Sequence, residues 1–453
     1  MARPLNTLSF YALLSTVLLA AHCRAQEDMF STANNSQEIH ECAPGRIPTE
    51  HLRVTHITCS NWSAEDFSAL KDCPALVSVE FMGMDCTRGQ PDLAVLKVLP
   101  SLRHIRMVAC HGMTDGDIES LACLTALETL EFRTCNTLCD TQVILLWKAT
   151  ALRTLSISMC KRLTPHFLNA QSDSSLVDLR IQFSAEVDLR DLAAPLRRFP
   201  RLAALALGGN SIVGTFGSQT PRLSLRRLGL SSRIEPLRPE TLRALLSTET
   251  TTEVSLDTQS FDEGVSVELQ RLGKLDYLHL ANVADFSEGA LRPLLRAVSL
   301  TQLTIVKCAS FTGESLSVVE NNWSLRTLTV IQCPALSEDF CAQLCKYKAI
   351  EKCVVTGVRA LDSHRAGALA HLSSLLDLVV TDCDLDDNFV SSLIGRNPYR
   401  SVDLRGNRRL TAKCVPALAQ LTSLRELKIS ASGSITPLHI AKLRAMLPTC
   451  TVN

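Results

Sequence analysis

Aromatic residues make up only 5% of the 453-residue chain, and positive and negative side chains balance to a formal net charge of zero. The missing net charge excludes a global field that would draw the chain to nucleic acid or to an anionic membrane. Three catalytic signatures are also absent: a Gly-x4-Gly-Lys-Ser/Thr loop, a His-Glu-x-x-His helix and a Gly-x-Ser-x-Gly elbow. We therefore expect a chain that is not an enzyme and needs no cofactor.

Long hydrophobic runs are confined to the N-terminus. Residues 8–21 form an apolar run that follows Arg3 and precedes small residues at Cys23 and Ala25. This order is typical of a secretory signal peptide cleaved before Gln26. An uncleaved anchor is the alternative, although the run is shorter than the ~20 residues that a spanning helix needs. The sequence predicts a signal peptide over residues 1–25 and no membrane span after its cleavage.

Three Asn-x-Ser sequons agree with export. Their candidate glycosylation sites are Asn34, Asn61 and Asn322. With the leader they predict an extracellular or luminal protein, or a cytoplasmic one if the leader does not function.

What the sequence has in abundance is one repeated pattern. The spacing Leu-x-x-Leu-x-Leu recurs sixteen times, and successive copies start about 23 to 26 residues apart. Its alternating apolar positions predict a short strand with one buried face, and an amphipathic helix of about ten residues then returns the chain. The copies start at Leu52, Leu76, Leu102, Leu127, Leu152, Leu176, Leu202, Leu225, Thr251, Leu275, Leu300, Leu325, Ile350, Leu375, Tyr399 and Leu424.

A second position marks the repeats, eight residues after the start, where a small polar or thiol side chain recurs. There it can turn inward and bond backbone carbonyls as the strand ends. We predict a buried structural ladder at Cys110, Cys135, Cys160, Asn210, Cys308, Cys333, Cys383 and Asn407.

Further along each repeat an apolar residue precedes a helix cap, as in Met113-Thr114-Asp115 and Leu163-Thr164-Pro165. This combination of strand pattern, ladder position and helix cap resembles the cysteine-containing subfamily of leucine-rich-repeat proteins. The resemblance implies an α/β, right-handed solenoid shaped as a horseshoe or arc, with a parallel sheet on the concave face and helices on the convex face. The predicted divisions are a cap over 26–51, repeats over 52–423, and a last repeat with its cap over 424–453.

Members of this subfamily include recognition arms of ubiquitin ligases that carry an F-box before the repeats. Here residues 26–50 are too few for that module of roughly forty residues. The intracellular ligase-type function is therefore the alternative to a secreted or surface-associated scaffold, and a passive structural spacer is a third possibility.

The other cysteines suggest two further sites. Cys42, Cys59 and Cys86 crowd the N-terminal end, where a capping disulfide is one possibility. Cys341 and Cys345 lie four residues apart on one predicted helix face, but a zinc site needs more ligands than these two. We expect no metal.

The concave face can be predicted from strand alternation, because the second, fourth and sixth residues after each start point away from the core. Most of these positions are polar, but a set in the later repeats is apolar and has a lysine and a tyrosine beside it. This set is the candidate surface for a protein partner, unless it is only a ladder of strand-favouring side chains. Its members are Tyr277, Val306, Ile331, Lys352, Val354 and Val379.

Overall fold

The structure is a computed structural model that describes residues 39–42, 55–60, 67–87, 92–169, 174–216, 223–232, 236–296, 299–318, 324–358, 361–429 and 434–453. The predicted signal peptide and the sequon asparagines Asn34, Asn61 and Asn322 lie outside these residues.

Short strands recur along the described chain, and half of them are five residues long. They are β1 (Ile39–Cys42), β2 (His56–Ser60), β3 (Ser78–Met82), β4 (His104–Val108), β5 (Thr129–Arg133), β6 (Thr154–Ser158), β7 (Asp178–Gln182), β8 (Val187–Asp188), β9 (Ala204–Gly209), β10 (Ile212–Val213), β11 (Arg227–Ser232), β12 (Glu253–Thr258), β13 (Ser260–Phe261), β14 (Tyr277–Ala281), β15 (Asp285–Phe286), β16 (Gln302–Val306), β17 (Thr327–Ile331), β18 (Lys352–Thr356), β19 (Asp377–Thr381), β20 (Ser401–Asp403), β21 (Glu426–Lys428) and β22 (Thr451–Val452).

Eighteen of these strands form one parallel sheet, in which each strand pairs with the next along the chain. The other four form two short ribbons, β8 with β10 and β13 with β15. Sixteen strands of the large sheet belong to the predicted repeats. The remaining two, β1 and β22, extend the sheet into segments predicted as caps, where an added strand pairs backbone groups that an open edge would leave unbonded.

Helical turns return the chain from most strands of the large sheet to the next. The α-helices span Asp115–Ala122, Asp140–Leu145, Leu189–Leu196, Pro239–Leu245, Glu263–Gln270, Glu288–Arg296, Phe340–Leu344, Ser363–Ala366, Asp387–Ser392, Val415–Leu418 and Pro437–Met446. Turns of 3-10 helix span Ala69–Asp72, Leu93–Val98, Leu146–Lys148, Pro165–Leu168, Glu314–Val318, Gly367–His371 and Ala412–Cys414. Most are shorter than the predicted ten residues. In the Leu202 repeat, residues 210–216 contain β10 and no helix, and glycine, as at Gly214, disfavours helix there.

The core lies between the sheet and the helices, and it follows directly from the repeated pattern. In β17, Leu328 and Val330 are fully buried, whereas Thr327, Thr329 and Ile331 are partly exposed. The same alternation in nearly every strand builds one continuous hydrophobic core along the array.

The first repeat is displaced from its predicted register. His56 pairs with Ser78, which holds the second position of the next repeat, so His56 also occupies a second position rather than a fourth. Ile57 and Cys59 are the buried residues of β2. The repeat pattern therefore starts two residues after Leu52, because these two side chains fill the core positions.

The cysteines of the predicted ladder are all buried. Each Sγ donates to a backbone carbonyl, over distances of 3.1 Å for Cys383 to 3.9 Å for Cys333. The hydrogen bond with Cys135, together with burial, raises the pKa of the Cys110 thiol. Burial raises the pKa of Cys383 to about 11. Thiols held protonated in this way are poor nucleophiles and metal ligands.

A left-handed backbone turns the ladder residue inward. The residue before the ladder position has a positive φ in repeats that carry a buried ladder residue, as at Thr134 (58°), Lys307 (53°) and Gly406 (77°). Asn210 is different. It is exposed, and among the described residues its side chain bonds the Ser184 carbonyl alone, because β9 stays extended through Gly209. Asn210 therefore does not belong to the buried ladder.

The C-terminal edge of the sheet is covered by a side chain. Arg444, on the last helix, donates from Nε and a terminal nitrogen to the carbonyl oxygen of Val452, at 3.0 and 2.9 Å. The outward carbonyl of β22 is thus occupied, and a second chain adding a strand there would have to displace Arg444.

Candidate protein-binding surface

The open face of the later strands carries the predicted apolar residues. Val306, Ile331, Val354 and Val379, here called the apolar stripe, are all partly exposed while their neighbours along each strand are buried. Their side chains therefore point away from the core, in the orientation that strand alternation predicted.

Strand pairing joins these residues into a stepped band. Val306 pairs with Ile331 in one row, and Val354 pairs with Val379 in the next row, two residues nearer the strand starts. Hydroxyls bound the band: Thr356 and Thr381 continue the first row and share a hydrogen bond of 2.9 Å. The result is a compact apolar patch on four adjacent strands, rather than a column along one of them.

Lys352 lies beside the stripe, two residues before Val354 on the same strand. Its side chain is exposed, and it forms no ion pair with any residue that the structure describes. The neighbouring carboxylate on β19, Asp377, is bound instead by Arg400. Lys352 is thus a cation available to a partner.

Tyr277 is not part of the patch. It starts β14, whereas Val306 ends the adjacent strand, so their Cα atoms are about 14 Å apart. Its ring lies 6.5 Å from that of His279. Burial raises the pKa of Tyr277 to about 12, partly offset by its hydrogen bond with Thr304.

The first strands present a charged surface instead. Arg106 on β4 lies between Glu80 on β3 and Glu131 on β5, with nitrogen–oxygen distances of 3.3 Å to each. All three side chains are about 30% exposed, so each pair contributes about 0–1 kcal/mol. Ion pairs between neighbouring strands therefore bind these three charged groups to one another within the sheet.

In the middle of the open face, several positions on two neighbouring strands carry alanine or glycine. The open-face positions of β9 are Ala204, Ala206 and Gly208. On the adjacent strand β11, Gly229 pairs with Ala206. Beside this small-residue floor, Asp178 accepts hydrogen bonds from Arg180, and its second oxygen lies 3.4 Å from Arg227. Sequence reasoning missed this floor, although its signal was small residues at the open-face positions of two neighbouring strands.

Among the described arginines between Arg190 and Arg243, three lie in different parts of the fold. Arg190 pairs with Asp188 beside a helix start, Arg227 with Asp178 on the open face, and Arg243 with the buried Glu268 on the helical side.

The remaining cysteines do not assemble a metal site in the described ranges. Cys341 is buried, and Cys345 donates to the Ala368 carbonyl at 3.2 Å. Across the described residues there is no group of three or more potential metal ligands. At the N-terminal end, Cys42 of β1 and Cys59 of β2 are partners in the register of the two strands. Cys86 is a buried free thiol, and burial raises its pKa to about 12. Within the same ranges, no helix is both long enough and apolar enough to cross a bilayer.

Comparison with known proteins rests on structure. No protein-family profile matches the chain. No curated protein matches it in sequence. Among solved structures, a TLR13–ssRNA13 complex superposes with a TM-score of 0.59 at 14% identity, and the match covers 89% of this chain and 60% of that one. This chain has the leucine-rich-repeat fold.

Two weaker superpositions involve an LRR protein of Leptospira interrogans and the Rad7–Elc1 complex of yeast. Their TM-scores are 0.37 and 0.49, at 13% and 16% identity. The first covers 85% of this leucine-rich-repeat chain and 91% of its own, and the second covers 99% and 98%. The chain spans less than two thirds of the length of the TLR13 chain.

Proposed function

We propose that this leucine-rich-repeat chain is an extracellular or luminal scaffold that binds a protein partner through its concave face. The observation that carries the proposal is the apolar stripe, four branched aliphatic side chains clustered on adjacent strands of the open sheet face. Clustered apolar side chains on an exposed surface are typical of protein interfaces, since their burial on binding is favourable.

The size of the face suits such a role. Eighteen strands at ~4.8 Å give an open face about 80 Å long, which is ample for the roughly 800 Å² per partner of a standard interface. Lys352 adds a charged group beside the stripe that can fix the orientation of a partner.

We expect the double variant Ile331→Glu/Val354→Glu to lose its partner. Two buried carboxylates in the interface would cost several kcal/mol on binding, so proteins retained from culture medium by the immobilised chain should no longer be retained. The far-ultraviolet spectrum and the unfolding midpoint should hardly change, because both side chains lie outside the core.

Two controls make this result specific. Thr129→Glu/Ser156→Glu alters the open face on β5 and β6, away from the stripe, and should keep the partner. Val330→Glu places a carboxylate in the core and should unfold the array. Unchanged retention by Ile331→Glu/Val354→Glu would reject the stripe as an interface and leave it as a ladder of strand-favouring side chains. Failure of the native chain to retain any protein would favour the structural spacer.

We also expect the mature chain to begin near Gln26 and to carry glycan on one or more of Asn34, Asn61 and Asn322. The leader and the sequons support this part of the proposal. N-terminal sequencing and the mass lost on glycosidase treatment measure both features. An intact Met1 with no loss of mass would favour the intracellular, ligase-type alternative.

A further inference from the structure

We infer that the apolar stripe binds an acidic–apolar protein segment, with a carboxylate at each end and aliphatic or aromatic side chains between them. This inference rests on the proposed function and adds the chemical class of the partner. Two lysines that bracket the stripe carry it, Lys352 and Lys307.

The two lysines mark opposite ends of one path across the open face. Lys307 follows Val306 directly at the end of β16, and Lys352 begins β18. Five residue steps along the strands and two strand spacings separate them, so their Cα atoms are about 19 Å apart. Ile331 and Val354 lie between them. That span corresponds to about six residues of an extended segment or about twelve of a helix.

Neither lysine forms an ion pair with a residue that the structure describes, whereas the acids around the two lysines are occupied or distant. Asp257 accepts hydrogen bonds from Ser231 and Asn282, at 3.0 and 2.8 Å. Asp377 is bound by Arg400. The exposed Asp382 holds the position equivalent to Lys307, three strands away, about 14 Å. The charges available at the two ends of the path from Lys307 to Lys352 are therefore positive.

The backbone conformation at Lys307 decides which substitution can test its charge. Its φ is 53°, in the left-handed region, where glycine is unstrained and residues with a Cβ are not. Gly357 and Gly406 fill the equivalent position in two later repeats. Residues with a Cβ also fill it, as at Thr134, Met159 and Gln332, so Lys307→Gly removes the ammonium group without adding backbone strain.

Selection from a random peptide library tests the inference. The probe is a display library of peptides of about twelve residues, or about 40 Å when extended, panned at low salt against the immobilised chain. We expect the enriched peptides to combine Val, Ile, Leu or Phe with flanking Asp or Glu. Their binding should weaken as salt rises, since exposed charges are screened.

Variants separate the charge inference from the proposed function. Lys307→Gly/Lys352→Gln should weaken the acidic peptides about three- to tenfold, as expected for one or two exposed ion pairs, while leaving the unfolding midpoint unchanged or raising it through relief at residue 307. Lys346→Gln changes an exposed lysine on the helical side, where its Nζ donates to the Ser317 carbonyl, and should have no effect.

Each other outcome contradicts a specific step. Apolar peptides enriched without acids, or unaffected by Lys307→Gly/Lys352→Gln, would reject the acidic partner and leave the stripe as an interface. Peptides still bound by Ile331→Glu/Val354→Glu would show that the stripe is not their site, which rejects the proposed function as well. Failure to enrich any peptide would reject both.

Discussion

Replacing Asn407 with alanine should lower the free energy of unfolding by about 3 kcal/mol or more, the largest effect we expect from one ladder residue. The Asn407 amide is buried and makes four hydrogen bonds with the backbone. Its Nδ2 donates to Val380 and Leu404, at 2.6 and 2.9 Å, and its Oδ1 accepts from Cys383 and Leu385, at 3.1 and 3.2 Å. Alanine would leave these buried groups without a partner, and each such group costs about 1–3 kcal/mol.

Asn210→Ala is the matched control. Asn210 occupies the same place in the sequence repeat, but it is exposed and makes one hydrogen bond, to Ser184. Water can replace that bond, so the change should cost less than about 1 kcal/mol. Urea unfolding of both variants, with amide hydrogen exchange of β19 and β20, measures the difference. Equal losses of stability would contradict the structural distinction between the two asparagines.

This pair also shows where sequence reasoning reached its limit. The period and the alternation of Leu positions predicted the strands and their buried faces, because both follow from residue type at fixed spacing. The inward turn before the ladder depends on backbone conformation. Thr134 and Lys307 adopt a positive φ although their side chains disfavour it, whereas Gly209 does not. Residue type alone therefore could not reveal that Asn210 points outward.

The candidate surface also combines features that the sequence could predict with features that it could not. The outward orientation of Ile331 and Val354 was predictable, since alternation along a strand has a period of two. The position of Tyr277 relative to the stripe also depends on distance along the strands, and its place at the start of β14 separates it from Val306. The availability of Lys352 could not be predicted, because the sequence does not show that Arg400 reaches across to Asp377.

Replacing Glu288 with alanine should destabilise the array by about 2–4 kcal/mol. Glu288 begins the helix Glu288–Arg296, yet its carboxylate serves the helical turn of the following repeat. Oε1 accepts from the backbone N–H groups of Thr312 and Gly313, at 2.7 and 2.9 Å, and from the Thr312 hydroxyl, at 2.9 Å. Oε2 accepts from the N–H of Ser315, at 2.8 Å. One side chain thus binds the free donors at the start of Glu314–Val318.

The magnitude follows from the charge and the number of these bonds. A hydrogen bond to a charged group contributes about 1.5–3 kcal/mol, but bonds sharing one carboxylate are not additive and this one is only partly buried. Glu288→Gln keeps an acceptor oxygen without the charge and should fall between the native chain and the alanine variant.

Glu314→Ala provides the control for Glu288 within the next repeat. Glu314 pairs only with Arg292, at 3.2 Å, and its side chain is 66% exposed, so its loss should cost less than about 1 kcal/mol. Because each repeat contacts its neighbours, hydrogen exchange in Glu288→Ala should rise first in β16 and β17, on either side of Glu314–Val318. If Glu288→Ala and Glu314→Ala lower stability equally, capping across repeats does not couple these two layers, and the packing of Phe286 on Phe311 would remain as the link between them.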